Sequence, residues 1–239
     1  MADFVQSPPP TSFFQLSFPR PKVLLVTIDR EKQRNSFPAE AHWEGHGIFS
    51  WFDDEPTLLV AIVTGAGDKA FLMNHPPTGF MGLSQRKVKK PVIAAVNGFA
   101  LGGGLRYASI VGLYAAAGGL PMLMRIVGLQ LASEIAMTGR KLTAQEALEH
   151  RIVNRVSQTP ESVVDESLDL ASQITSFSPD GVIVTRQGLR EAWDTASVEH
   201  ATSRTRHEYV NRLVAGENFK IGVEAFAKKT KPQWGPSRL

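Results

Sequence analysis

The sequence predicts an α/β protein, in which buried strands alternate with helices and a helical region follows. Short apolar runs rich in β-branched residues at 23–28, 58–63 and 91–96 have the length and composition of buried strands. Apolar residues at helical spacing separate the first two runs and fill the last third of the chain. Strands that alternate with helices are typical of the α/β class, and 239 residues suffice for one sizeable core.

The composition excludes several classes of function. With zero cysteines, the chain has no disulfide, thiolate metal site or cysteine nucleophile. The formal net charge is +3, but Lys and Arg are spread along the chain without a dense basic block, so we expect no nucleic-acid partner. Charges or prolines interrupt every apolar run before it reaches membrane-spanning length, so we expect no membrane insertion.

The helix between the first two buried runs begins with a proline. Pro38 fits the first turn of a helix, because its missing N–H would have no intrahelical partner. Apolar and small residues then recur at three-to-four spacing, at Ala41, Gly45, Ile48, Phe49 and Phe52. His42 and His46 lie one turn apart on this helix. A metal site and a partly exposed helix face are both open interpretations, although no third ligand is evident.

From Leu129 onward the chain is predicted to be helical. Thr143 is a preferred N-cap residue, and Pro160 marks the start of a helix. Further helices are predicted at 144–149, 179–195, 198–213 and 217–228. Glu134 and Glu146 lie in this region, where a catalytic role and a solvated or capping position are both open interpretations.

The last three residues match a targeting signal. Ser237, Arg238 and Leu239 fit the small-basic-leucine pattern of the peroxisomal signal, of which Ser-Lys-Leu is the reference form. We therefore expect a peroxisomal location and an import receptor as a partner, with a polar tail as the alternative interpretation. The predicted organisation is a flexible N-terminal arm, an α/β core, a helical C-terminal region and the targeting tripeptide, at 1–12, 13–156, 157–236 and 237–239.

A glycine-rich turn after the third buried run is the leading candidate for chemistry. Asn97 and Gly98, followed by Gly102, Gly103 and Gly104, mark a passage from strand to turn to helix. N–H groups at a helix start have no intrahelical partner, and the helix dipole favours negative charge there, so the passage suits an oxyanion. A tight turn that needs positive φ angles is the alternative interpretation.

The segment 91–104 resembles, nearly residue for residue, the strand, turn and oxyanion glycines of the crotonase (enoyl-CoA hydratase/isomerase) family. Other motifs match that family in order, so the resemblance spans almost the whole chain. They are Ile28-Asp29-Arg30 with Asn35, residues 61–71, Ile126-Val127-Gly128, Thr138-Gly139-Arg140, Glu146-Ala147, Val153-Asn154 and residues 222–232. Residues 43–67 also resemble branches of the family found in siderophore and toxin side-chain pathways.

The resemblance implies a ββα spiral core with a helical C-terminal trimerisation region. It implies an acyl-CoA thioester as the bound partner, whose enolate is stabilised between two main-chain N–H groups. Gly103 is the implied donor of one of them, with Gly102 and Gly104 beside it. We expect a homotrimer or a dimer of trimers, and no cofactor other than the CoA that belongs to the thioester substrate.

The same resemblance implies residues that bind CoA. Lys32 and Gln33 would lie near the CoA nucleotide, and Phe226 and Lys229 would contribute from the closing helix or from a neighbouring subunit. For the basic residues at 87–90, contact with CoA phosphates and a solvated loop are both open interpretations.

The chain departs from the family's pattern at its catalytic positions. After Phe71 the family has an Ala-Gly-Ala-Asp loop that supplies the other oxyanion donor, whereas this chain runs Leu-Met-Asn-His. Arg106 stands where the family has a catalytic glutamate, and residues 107–111, where a second is expected, contain no acid. Arginine stays protonated and cannot be a general base, so the general acid and base are unknown. A shortened gene product, a binding protein without turnover and an enzyme that recruits other groups all remain open.

Overall fold

The computed structural model describes residues 4–33, 35–66, 80–83, 89–98 and 119–239, and it confirms the α/β class. Its described strands form one sheet in the order β1 (Phe14–Arg20), β2 (Val23–Ile28), β3 (Val60–Gly65) and β4 (Val92–Ala94). β1 pairs with β2 in the antiparallel sense, whereas β2, β3 and β4 run parallel to one another. The three predicted buried runs are therefore neighbouring strands, although the third is shorter than its apolar run.

The described helices follow the predicted pattern with two corrections. They are α1 (Ala39–Asp54), α2 (Gly119–Val127), α3 (Leu129–Thr138), α4 (Ala144–Glu149), α5 (Val163–Thr175), α6 (Pro179–Thr195), α7 (Val198–Thr205), α8 (Asn211–Ala215) and α9 (Glu217–Lys228). The prediction that a helix begins at Pro160 is wrong, because Thr159 and Ser162 exchange hydrogen bonds of 3.1 and 3.2 Å between their main-chain N–H groups and side-chain oxygens and so form a turn. A π-helical turn at Arg206–Val210 separates α7 from α8.

The parallel strands are covered on both faces. Leu24 and Ala61 face a cluster of apolar residues built with α1, whereas Val23 and Ile62 face a second cluster built with α5. Fully burying an aliphatic side chain contributes about 1.5–3 kcal/mol, so these two clusters dominate the stability of the fold. Burial on both faces also explains why β2 and β3 are continuous apolar runs in the sequence. Among the described helices, none has the length and apolarity to cross a membrane.

Residues of the predicted N-terminal arm make specific contacts with α1. The N–H of Val5 donates to Glu55 Oε2 at 2.9 Å, and Trp51 Nε1 donates to the carbonyl of Gln6 at 2.9 Å. The ring of Phe4 lies 5.6 Å from that of Trp51. The start of the described chain is therefore held against the helix that covers the sheet.

Lys90 is buried where the chain enters β4. Its Nζ donates to the carbonyls of Phe52 and Glu55 at 2.7 and 2.6 Å, which are at the carboxyl end of α1. A cation there is favoured by the helix dipole. Lys90 is only 1% exposed, so both interpretations of 87–90, a solvated loop and CoA phosphate contact, are wrong for this residue. Burial lowers the pKa of Lys90 to about 8, although the nearby Asp53 carboxylate opposes that shift.

The pKa of Lys90 predicts an unusual pH dependence of stability. Between about pH 8 and pH 10.5 the unfolded chain binds a proton that the folded chain has lost, so the free energy of unfolding rises with pH, by at most about 3 kcal/mol. Lys90→Met removes this titration. In urea titrations from pH 7.5 to pH 10, we expect the unfolding free energy of the wild type to rise relative to that of Lys90→Met by about 1–3 kcal/mol. A difference that stays constant with pH contradicts the prediction.

Candidate functional site

The carboxyl ends of β2, β3 and β4 lie together at one edge of the sheet. Ile28, the last residue of β2, is opposite Gly65, the last residue of β3. The N–H of Ala66 donates to the carbonyl of Ile28 at 2.9 Å, and the N–H of Ala95 donates to the carbonyl of Val63 at 2.8 Å. The chain therefore leaves β3 and β4 side by side, at the edge where open α/β sheets bind their ligands.

Two asparagine side chains hold the chain at this edge. Asn97 Nδ2 donates to the carbonyl of Gly65 at 2.9 Å. Asn35 Nδ2 donates to the carbonyl of Ala66 at 2.5 Å, and its Oδ1 accepts from the N–H of Arg30 at 3.3 Å. These two side-chain amides connect the segments that follow β2, β3 and β4. They therefore hold the carboxyl ends of the three strands in place relative to one another.

The backbone conformation and the close packing at this edge restrict which residues can occupy positions 35 and 65. Asn35 has a φ of 55° and is 3% exposed, and asparagine adopts this left-handed conformation more readily than most residues. A Cβ at Gly65 would lie 2.8 Å from Asn35 Nδ2, so a side chain there would displace the amide. The contact of Asn35 with Ala66 therefore depends on glycine at position 65.

The glycines predicted to hold the oxyanion follow this edge directly. Gly102, Gly103 and Gly104 lie outside the described residues, as does Arg106, so their roles stay predictions. Lys32 and Gln33 lie in a short 3-10 helix, Glu31–Gln33, which connects β2 to Asn35. Both side chains are exposed, which leaves them accessible to a ligand at this edge.

The two predicted CoA-binding residues of α9 are on the surface. Phe226 is 88% exposed, and Lys229 ends the helix with a φ of 52°. Within one chain Phe226 is therefore directed to solvent.

The C-terminal tripeptide is docked on the helical region. Ser237 Oγ donates to Asp180 Oδ1 at 2.5 Å, and Asn218 Nδ2 donates to Asp180 Oδ2 at 2.9 Å. Asn218 Oδ1 also accepts from the N–H of Gly235 at 2.9 Å. Asp180 and Asn218 are both buried, whereas Arg238 is exposed. The tail is therefore held by a buried pair of polar side chains on α6 and α9.

Glu134 and Glu146 have structural roles. Arg140 donates to Glu134 Oε1 at 2.8 Å and to Glu146 Oε1 at 3.0 Å. Glu146 also forms a capping box with Thr143 at the start of α4. The hydrogen bonds from Thr143 and then from Arg140 lower the pKa of Glu146. A carboxylate held ionised in this way is a poor proton carrier near neutral pH.

The histidine pair of α1 does not form a metal site among the described residues. His42 is fully buried, its Nδ1 accepts from the N–H of Met81 at 3.2 Å, and its ring lies 5.1 Å from that of Phe37. The partly exposed helix face expected for it is therefore wrong, because the segment 80–83 packs over this part of α1. Among the described residues, no three His, Cys, Asp or Glu side chains form a group that could bind a metal ion.

Two polar residues that flank β4, Lys90 before it and Asn97 after it, were not identified as structural anchors from the sequence. Asn97 was recognised only as part of a turn, and Lys90 only as part of a basic cluster. Their partners lie more than thirty residues away, at Gly65 for Asn97 and at Phe52 and Glu55 for Lys90. The only feature of the sequence that could have indicated their structural role is that each residue flanks a predicted buried strand.

Comparison with known proteins identifies the family. The family model described as "Enoyl-CoA hydratase/isomerase" matches residues 106–237. The mevalonyl-coenzyme A hydratases of Beauveria bassiana and Aspergillus fumigatus are 38% and 37% identical, over 99% and 94% of this chain and 99% and 95% of theirs. The enoyl-CoA hydratase EchA1 of Mycobacterium marinum superposes with a TM-score of 0.84 at 28% identity, covering 95% of this chain and all of that one. This chain belongs to the enoyl-CoA hydratase/isomerase family and has its crotonase fold.

The comparison also shows that this chain is shorter than its relative from Beauveria bassiana. The alignment with that protein runs over 279 positions, 40 more than the 239 residues of this chain. At least that many positions of the relative therefore have no counterpart here. The alignment length does not locate these positions, so the missing segments after Phe71 and Gly104 stay a prediction.

Replacing Asn35 tests the anchor at the carboxyl edge. Asn35→Ala removes both amide hydrogen bonds, and alanine adopts a positive φ less readily than asparagine. We therefore expect the unfolding free energy to fall by about 2–4 kcal/mol. Asn35→Gly removes the same bonds without the φ strain and is the matched control, with a loss smaller by about 1 kcal/mol. Urea unfolding measures both. A glycine variant as stable as wild type would mean that the amide does not hold this edge.

Proposed function

We propose that the protein binds an acyl-CoA thioester at the carboxyl edge of the sheet and stabilises the charge that develops on its carbonyl. The observation that carries this proposal is the adjacency of β3 and β4, with Asn97 Nδ2 bonded to the carbonyl of Gly65 at 2.9 Å. Because the chain leaves both strands at one edge, N–H donors that follow either strand can reach the same oxygen. Gly103 is the proposed donor after β4.

We infer that the CoA portion lies along the 3-10 helix after β2. Lys32 and Gln33 are exposed there, and an ammonium and an amide can bind a phosphate and the polar atoms of a nucleotide. Gly102 and Gly104 are the proposed neighbours of the thioester, since they flank Gly103.

The proposed substrate is a branched 3-hydroxyacyl-CoA of the mevalonyl class. The names of the two fungal relatives support this class, and so does the resemblance of residues 43–67 to siderophore-pathway branches. A mevalonyl thioester carries a hydroxyl on the carbon β to the carbonyl. Dehydration removes a proton from the α carbon and hydroxide from the β carbon, with the electron pair passing through an enolate. Main-chain N–H groups lower the energy of that enolate without any ionisable side chain.

A second candidate function is acyl-CoA binding or subunit assembly without turnover. Arg106 and the acid-free stretch 107–111 favour it, because water addition and removal both need groups that carry protons. The positions missing relative to the Beauveria bassiana protein favour it as well. Oxyanion stabilisation and proton transfer are separable, so binding can persist where turnover is lost.

A single set of measurements distinguishes the two candidate functions. The protein is titrated with mevalonyl-CoA, crotonyl-CoA and CoA alone, and the enoyl thioester absorbance is followed. We expect both thioesters to bind more tightly than CoA. Turnover supports the enzyme, and binding without turnover supports the alternative. Thioesters that bind no better than CoA contradict both.

A matched pair of variants tests the oxyanion donor. Gly103→Pro removes the main-chain N–H, whereas Gly103→Ala keeps it. We expect Gly103→Pro to lower turnover by about 100-fold or more, or, without turnover, to abolish the preference for thioesters over CoA. Gly103→Ala serves as the control for packing. Equal effects of the two variants would exclude the N–H of Gly103 as the donor.

We further propose that α9 contacts a second copy of the chain. Phe219, Val223 and Phe226 recur at helical spacing on one side of α9 and are 40%, 54% and 88% exposed. An apolar stripe of this kind favours a subunit contact, and a homotrimer or a dimer of trimers would bring Phe226 and Lys229 near a neighbouring substrate.

We propose a peroxisomal location through Ser237, Arg238 and Leu239. Deleting these residues from a chain with a fluorescent protein at its N-terminus is expected to abolish overlap with a peroxisomal marker in fungal cells. Ser237→Ala is the control, because it keeps the small-basic-leucine pattern while removing the bond to Asp180. An unchanged distribution after the deletion contradicts this location.

A further inference from the structure

The chain after α9 is attached to the folded protein before it reaches its last residues. Trp234 Nε1 donates to the carbonyl of Ser176, between α5 and α6, at 2.9 Å, and Lys22 Nζ donates to the carbonyl of Trp234 at 3.4 Å. A Cβ at Gly222 would lie 3.1 Å from the ring of Trp234, so this ring packs directly on α9. Trp234 therefore fixes the point from which the terminal segment 235–239 begins.

Two buried side chains hold the terminal segment beyond this anchor. Asp180 and Asn218 are 4% and 2% exposed and bond to each other. Asn218 holds the main chain, because its Oδ1 accepts from the N–H of Gly235 at 2.9 Å and its Nδ2 donates to the carbonyl of Gly235 at 3.3 Å. Asp180 holds a side chain, because Ser237 Oγ donates to it at 2.5 Å. These contacts include the first residue of the proposed targeting tripeptide.

The docked tripeptide is folded back on its own serine. The N–H of Leu239 donates to Ser237 Oγ at 3.2 Å, which is a turn that serine side chains form with the residue two positions further on. Ser237 and Leu239 are half-buried, whereas Arg238 is exposed. A receptor that recognises a small residue, a basic residue and a leucine must contact all three side chains. It therefore requires Ser237 and Leu239 to leave the positions that they occupy here.

Docking of the terminal segment and binding to the receptor therefore exclude each other. Because water replaces each hydrogen bond on release, one bond favours the docked form by only about two- to tenfold. The bonds of Gly235 and Ser237 together favour it by about tenfold or more. Pro236 restricts the segment even when it is released, so docking costs less conformational entropy. Because only the released fraction can bind, the receptor affinity of the folded chain falls by a similar factor.

We propose that Asp180 and Asn218 form a latch that withholds the targeting tripeptide from the import receptor until the terminal segment is released. This inference rests on the proposed peroxisomal signal and adds the regulation of that signal. The affinity for the receptor then depends on the surface between α6 and α9 as well as on the tripeptide.

Binding to a purified fungal peroxisomal import receptor tests the latch. The full chain is compared with a synthetic peptide of residues 230–239, and calorimetry measures both affinities. We expect the full chain to bind at least about tenfold more weakly than the peptide. Asn218→Ala should recover most of this factor, because it removes the contacts with Gly235 and the bond to Asp180. Asn211→Ala, at an exposed position on α8, is the matched control and should leave the affinity unchanged.

An extended chain keeps the test valid if Asn218→Ala disturbs folding. The sequence Gly-Ser-Gly-Ser-Gly-Ser-Arg-Leu is added after Leu239, so the native tripeptide can stay docked while the added tripeptide is free. We expect this chain to bind the receptor as tightly as the peptide does. Asp180→Ala removes the acceptor of Ser237. It should raise the affinity of the unextended chain and leave that of the extended chain unchanged.

Digestion with a carboxypeptidase measures release of the segment without the receptor. When opening and closing are fast, the rate of cleavage follows the population of the released form. We expect Leu239 to be removed at least about tenfold faster from Asn218→Ala than from wild type, and at the wild-type rate from Asn211→Ala.

The outcomes separate the latch from the signal. If the peptide does not bind the receptor, the peroxisomal signal is wrong and the latch proposal is wrong with it. If the peptide binds and the wild-type chain binds equally well, the latch alone is overturned and the signal remains. Equal effects of Asn218→Ala and Asn211→Ala on receptor affinity and on digestion likewise overturn the latch alone.

Discussion

The carboxyl ends of parallel strands lie at the same edge of a sheet, and both faces of such a sheet must be covered to bury its apolar side chains. In this protein β2, β3 and β4 impose both conditions. The first brings Gly65, Ala66 and Asn97 together at the proposed thioester site. The second requires α1 on one face and α5 on the other. Each fully buried aliphatic residue contributes about 1.5–3 kcal/mol and each amide hydrogen bond about 1 kcal/mol, so packing determines the fold and the asparagines determine its edge.

The elements that the sequence predicted best are those with strong local signals. β2 has the predicted bounds because Val23 to Ile28 is a short run of apolar and β-branched residues. α6 begins as expected because Ser178 caps a helix with Pro179 in its first turn. The capping box of Thr143 is another local signal. The start of α5 was mispredicted, because side-chain bonds between Thr159 and Ser162 compete with helix formation in a way that apolar spacing does not reveal.

The contacts of the candidate site and of α1 were less predictable, because they join residues far apart in the chain. The resemblance to the family identified Asn35, but not its bond to Ala66. The expected exposure of His42 failed because Met81, from a distant segment, packs over it. Lys90 looked like one residue of a basic loop, and only the tertiary structure places it at the end of α1. Local patterns contain no information about such partners.

The cover that α5 provides for the sheet has a consequence during synthesis. Val23, Val60 and Ile62 lie in the N-terminal part of the chain, whereas Leu168 and Ala171, which cover them, are translated much later. A nascent chain that has completed β2 and β3 therefore exposes one apolar face of the sheet until the ribosome has released α5. Such an intermediate is a target for chaperones and a risk for aggregation, and slow translation between β4 and α5 would prolong it.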